Sequence, residues 1–95
     1  ILALDGIDAV FVGPSDLSIA LSGGKEVNPL SAEVDEAIRH IVARASSVGK
    51  PVAIYAQSAE RAKAFLAMGA KLVTVMSDTA FLRGAAQTAL TQLGR

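Results

Sequence analysis

The chain has 95 residues, enough for one small domain, with 52% hydrophobic and 19% charged residues and a formal net charge of zero. No basic run exists to grip nucleic acid, no apolar stretch reaches the roughly 20 residues of a membrane span, and no cysteine is present for a disulfide, a thiolate metal site or a thiol nucleophile. So apolar a short chain, beginning at Ile1 without an initiator Met, reads as a piece of a longer cytoplasmic protein whose surfaces await partners.

Asp8 to Val12 is a short, nearly continuous apolar run stopped by Gly13-Pro14, the pattern of a strand buried on both faces. Behind it come Ser15, Asp16, Leu17 and Ser18, then a loop from Leu21 to Ser31 that contains Gly23-Gly24. From Ser31, Val34, Ile38, Ile41 and Ala45 recur at helical spacing, with Gly49 as the stop. Pro51 to Tyr55 is a second strand. Ser58 caps a second helix carrying Ala62, Phe65 and Leu66 and ending near Gly69. Leu72 to Met76 is a third strand, and a third helix starting at Ser77 or Asp78 carries Leu82, Ala85, Ala89 and Leu93. Buried strands alternating with helices predict a parallel α/β sheet. Periodicity leaves open whether that sheet closes into a barrel or stays an open, doubly wound module.

In either case function gathers at the C-terminal ends of the strands. That rim comprises Gly13 to Ser18, Ala56 to Ser58, and Ser77 to Thr79. Asp16 is its most informative residue, and the plain alternative is that it caps a short turn of helix. Asp78 opens a helix and reads as a cap, and Asp5 and Asp8 read as turn residues at the opposite end. His40 lies with Glu33, Glu36 and Arg44 on the polar face of its helix, which predicts a solvated side chain. Gly23-Gly24 lacks the spacing of a phosphate-binding loop and reads as a flexible rim loop.

The stretch from Gly6 to Ser18 resembles the signature of the HpcH/HpaI aldolase family, G-I/V-D-x-I/V-F-I/V-G-P-x-D-L, which lies on the sixth strand of a (β/α)8 barrel. Ala37 to Ile41, Arg44 to Ser46, Gly49-Lys50-Pro51 and Met68-Gly69-Ala70 extend the resemblance toward the 2-dehydro-3-deoxyglucarate branch. The resemblance implies that residues 1–95 are the C-terminal fragment of one barrel domain, with strands six to eight. It implies a lyase that reversibly cleaves a 2-keto-3-deoxy sugar acid or 4-hydroxy-2-keto diacid to pyruvate and an aldehyde. It further implies a divalent cation, Mg²⁺ or else Mn²⁺ or Co²⁺, with Asp16 as one ligand. Ser15 and Asp16 would also bind the pyruvate carboxylate, and Gly13, Pro14, Tyr55 and Met76 would line the pocket. No catalytic residue is expected within this fragment: the second acid, the base and an arginine belong upstream of Ile1, so the fragment alone is expected to be inactive. The family resemblance also implies a homo-oligomer, commonly a hexamer. Ala53, Tyr55 and Met76 depart from the Gly, Leu and Gly common in relatives, which leaves the aldehyde partner open.

The lysines bear on the choice of aldolase chemistry. A Schiff-base enzyme needs a lysine aimed into its site. Lys50 and Lys71 precede strands, Lys63 is on a helix, and only Lys25 lies toward the rim, in the glycine-rich loop. That distribution favours metal over imine.

Overall fold

The computed structural model describes all residues, Ile1–Arg95, and contains three strands and four helices. In chain order these are β1 (Val10–Val12), α1 (Pro14–Leu21), α2 (Ala32–Ser47), β2 (Val52–Ala56), α3 (Ala59–Met68), β3 (Leu72–Val75) and α4 (Asp78–Gln92). The strands run parallel in the order β1-β2-β3, with Val12 opposite Ile54 and Tyr55 opposite Thr74. Because spatial order follows chain order, every crossover moves the sheet the same way. A doubly wound sheet reverses direction at a switch point; no reversal occurs within these three strands.

One face of the sheet carries the core. Val12, Val52, Ile54 and Ala56 pack with Val34, Ile38 and Ala45 of α2 and Ala62 and Phe65 of α3. The other face is bare: Phe11, Ala53 and Leu72 stand in one row, and Phe11 and Leu72 are 62% and 61% exposed. The strands therefore read as apolar on both faces although only one face is covered by this chain. Twelve of 95 residues are buried, and the radius of gyration of 16.0 Å exceeds the about 13 Å of a compact domain this size.

Helix ends follow the sequence closely. Ser31, Ser58 and Ser77 accept from the amides of Val34, Arg61 and Ala80, at 3.1 to 3.2 Å. Gly49 and Gly69 take φ of 72° and 114°, the left-handed geometry that ends α2 and α3. Several expectations need correction. β1 begins at Val10 rather than Asp8, and β3 ends at Val75, because Met76 turns to φ 60°. Gly13 to Leu21 is not merely a turn: Pro14 starts an eight-residue helix, its fixed φ and missing N–H suiting the first helical position. Leu66 is 50% exposed instead of joining Ala62 and Phe65 in the core. Finally, α4 forms as expected, but none of its residues is buried. Its apolar stripe finds no core within this chain, and the molecule extends to 55 × 29 × 22 Å.

Candidate active site

The C-terminal ends of all three strands lie along one rim, where α1, α3 and α4 begin. Asp16 is the third residue of α1 and is exposed there. The helix is not capped by a side chain, so the carboxylate does not serve as a cap. No donor in the chain bonds it. Instead it folds back over the strand end: a Cβ built on Gly13 would lie 3.1 Å from Asp16 Oδ2. Gly13 has φ −100° and ψ 105°, which any residue adopts. Its lack of a side chain is therefore a matter of space for the carboxylate, not of backbone freedom.

Ser15 and Asp16 come before the first helical hydrogen bond, which Leu17 N–H donates to the Gly13 carbonyl at 2.9 Å. Their amides have no intrahelical acceptor, and they sit at the positive end of the helix beside the strand terminus. Ser18 fixes this turn. Its buried hydroxyl donates to the Ser15 carbonyl at 2.6 Å and accepts from the Asn28 amide at 3.0 Å. The sequence signal was present, a serine three residues after Ser15 in an apolar helix, but its role was not read.

The glycine-rich loop closes on itself. Gly23 and Gly24 donate to Ala20 and Ile19 carbonyls, and the Ser22 hydroxyl accepts from the amides of Lys25 and Glu26 at 3.2 and 3.1 Å. With the amides of Gly23 to Glu26 occupied, the glycine turn does not offer the run of free N–H groups that cradles a phosphate. It returns across the rim through Pro29 and Leu30. These residues, with Pro14, Tyr55, Gln57, Arg61 and Phe65, enclose a small cavity of about 10 Å³. Tyr55 and Pro14 are thus brought together. A shallow cleft beside it, lined by Leu30, Gln57, Ser58, Glu60 and Arg61, measures about 480 Å³. Gln57 lies on the rim that the sequence predicts, whereas Leu30 and Arg61 join it only through the fold. Arg61 is held by a bidentate pair with Asp35, Nη2 to Oδ1 at 2.5 Å and Nη1 to Oδ2 at 3.3 Å, and lies 4.7 Å over the Phe65 ring. Met76 occupies the end of β3, where its amide donates to the Ala56 carbonyl at 2.8 Å.

A larger cavity, about 570 Å³, opens at the opposite pole between Arg39, Ser46, Lys50, Gly69 and Lys71. It lies at the strand starts, where α2 and α3 end, and its cations offset the negative ends of those helices. Lys50 Nζ is already engaged, donating to the Leu2 and Leu4 carbonyls at 2.7 and 2.8 Å. Size alone does not make it the reaction centre. His40 is exposed on α2, as expected, and Lys25 and Lys63 are exposed as well. Asp78 accepts from the neighbouring Thr79 amide at 2.7 Å, while Ser77, not Asp78, caps α4.

Residues 1–85 match the HpcH/HpaI aldolase/citrate lyase family. The chain belongs to that family. Among its HpcH/HpaI relatives, a 5-keto-4-deoxy-D-glucarate aldolase from Shigella dysenteriae is 46% identical over 87 residues, 92% of this chain and 33% of that protein. A hydroxypyruvate/pyruvate aldolase from Rhizorhabdus wittichii is 44% identical over 87 residues, 92% of this chain and 35% of its own length. The crystal structure of an HpcH/HpaI aldolase/citrate lyase family protein from Burkholderia cenocepacia superposes with a TM-score of 0.88 at 32% identity, covering 100% of this chain and 36% of that one. The chain therefore spans about a third of the length of the curated relatives it matches. Its parallel sheet and four helices are those of an HpcH/HpaI protein, and the relatives' names are those of lyases that act on small molecules. No helix is long and apolar enough to cross a membrane.

No three carboxylate or imidazole side chains converge in the chain. For a divalent cation, Asp16 fits as one ligand: a hard oxygen donor, exposed on the rim and free of hydrogen bonds. The remaining ligands would have to come from elsewhere.

Proposed function

We propose that this chain is the last three strand–helix units of a (β/α)8 barrel, and that the full-length protein is a divalent-metal-dependent pyruvate aldolase. The reaction is reversible cleavage of a 2-keto-3-deoxy sugar acid or a 4-hydroxy-2-keto diacid into pyruvate and an aldehyde. The observation that carries this reading is the Asp16 carboxylate, unbonded at the strand's C-terminal end beside a glycine that leaves it room. The barrel is supported by the sequential strand order and by the apolar face of the sheet that no helix of this chain covers, the side that a closed barrel packs with residues of its other strands.

In this role Asp16 contributes one charged oxygen ligand to the cation. The cation, when bound, polarises the keto oxygen and so stabilises the negative charge that develops there as the C–C bond breaks. The Ser15 and Asp16 amides, with the Ser15 hydroxyl, hold the pyruvate carboxylate. Gly13 and Pro14 set the turn that presents them, and Tyr55 and Met76 line the pocket beyond. The proton-transfer groups lie outside these residues, so the chain alone is inactive. The lysines support metal over imine chemistry, since Lys50 and Lys71 lie at the far pole. Mg²⁺ is the cation proposed, with Mn²⁺ and Co²⁺ able to replace it. The full-length enzyme is read as a cytoplasmic homo-oligomer, a hexamer.

Asp16→Asn in the full-length enzyme tests the assignment. The isosteric amide keeps shape and removes charge, so the fold should persist while Mg²⁺ affinity and turnover fall by at least about 10²-fold. Unchanged turnover across a Mg²⁺ titration would remove Asp16 from the site.

A further inference from the structure

Met76 is the only residue other than glycine with positive φ, 60°. In that region the Cβ crowds the backbone, and a flexible, unbranched side chain offers no local hydrogen bond to offset the strain. Such strain persists where the surroundings or the function require it. The turn itself does not require a side chain. Its work is to end β3 with the bond from Met76 N–H to the Ala56 carbonyl and to hand the chain to the Ser77 cap, which a glycine would do without strain.

Nor is Met76 held by the core. Val73 and Val75 pack against the buried cluster, but Met76 does not, although it is half-buried. The register explains where it stands. Ala56 pairs with Val75, so Met76 comes directly after the last pair, level with Gln57 at the C-terminal end of the sheet. It therefore belongs to the same rim as Pro14, Tyr55 and Asp16.

We propose that Met76 is a specificity-determining residue, its thioether narrowing the aldehyde end of the pocket so that small aldehydes are preferred, and that the strained turn is retained because a side chain is needed there. The proposal rests on the aldolase reading of this rim. A methionine suits the role because its unbranched, polarizable chain adapts to the surface it touches.

The experiment compares the full-length enzyme with Met76→Gly and Met76→Leu, in Mg²⁺, for addition of pyruvate to acetaldehyde and to benzaldehyde, alongside thermal melting. Met76→Gly should raise the benzaldehyde-to-acetaldehyde ratio of kcat/KM about tenfold and raise Tm by about 2 °C as strain is released. Met76→Leu, of similar volume and equal strain, should keep the ratio within about twofold and not raise Tm. An unmoved ratio in Met76→Gly, or a Tm that fails to rise, overturns the proposal. Exchange of pyruvate methyl protons with deuterated solvent by the unmodified enzyme separates the two levels. If exchange occurs while the ratio stays fixed, only the role of Met76 falls; if no exchange occurs, the aldolase reading falls with it.

Discussion

Gly13 and Asp16 are the pair on which the proposed metal site turns. The carboxylate occupies the volume that a methyl on Gly13 would press against, at 3.1 Å. Gly13→Ala is therefore a probe of carboxylate position with almost no backbone effect, since the φ of −100° suits alanine. The fold should be retained, and Tm should stay within a few degrees. Turnover at limiting Mg²⁺ should nevertheless fall several-fold, because the carboxylate must give by a few tenths of an ångström and ligand position matters at a reacting centre. Equal activity of alanine and glycine across the Mg²⁺ range would show that Asp16 does not need this place. At this scale the sequence places Pro14, Ser15 and Asp16 at the C-terminal end of β1, where the structure has them, because Gly13-Pro14 punctuates the strand. It is silent on Leu30 and Arg61. Those meet Tyr55 and Pro14 only through the fold of a loop held by the Ser18 and Ser22 hydroxyls, and nothing in their spacing encodes that.

Among elements, the legible ones were those with strong periodicity and strong punctuation. α2 buries Val34, Ile38 and Ala45, three of the four positions read from its 3.6-residue spacing, with Ile41 half-buried, and all three long helices begin at serines that cap them. α1 was not legible. It buries only Pro14 and Ser18, so it has no apolar stripe, and its N-terminal signal was a proline that equally ends a strand. The contact of α2 with α3 was likewise hidden, and it depends on Gly69. That residue ends α3 at φ 114°, and a Cβ there would lie 2.9 Å from Val42 Cγ1. Gly69→Ala thus combines backbone strain with a steric clash, and should cost about 1–3 kcal/mol by denaturant unfolding. Adding Val42→Ala should recover the clash component and leave the strain. A double variant no more stable than Gly69→Ala alone would mean that α2 and α3 do not approach so closely in the full-length protein.

At the scale of the whole molecule the apolar composition becomes intelligible. Chains of this length bury a smaller share of their surface, yet this one carries Phe11 and Leu72 on an uncovered sheet face and an α4 with no buried residue. Exposed apolar area of that extent marks surfaces that other parts of a protein cover. The sheet face is accounted for by the remaining strands of the proposed barrel. α4 asks for more than that. Phe81 and Ala85 lie on one side, and Leu82, Ala86, Ala89 and Leu93 on another, so these apolar residues reach around about 140° of the helix, against about 100° for a single core-facing stripe. A helix that serves one barrel needs one stripe, and the second is available to a neighbouring subunit. Phe81, 55% exposed, is the largest side chain of that second side. Phe81→Glu in the full-length enzyme should therefore leave the barrel folded by circular dichroism while moving the assembly to smaller species on a sizing column, more so as salt is lowered and the introduced charges repel. Pyruvate proton exchange per folded subunit should survive unless a neighbour completes the site. An oligomer of unchanged size would show that both sides of α4 are satisfied within a single barrel.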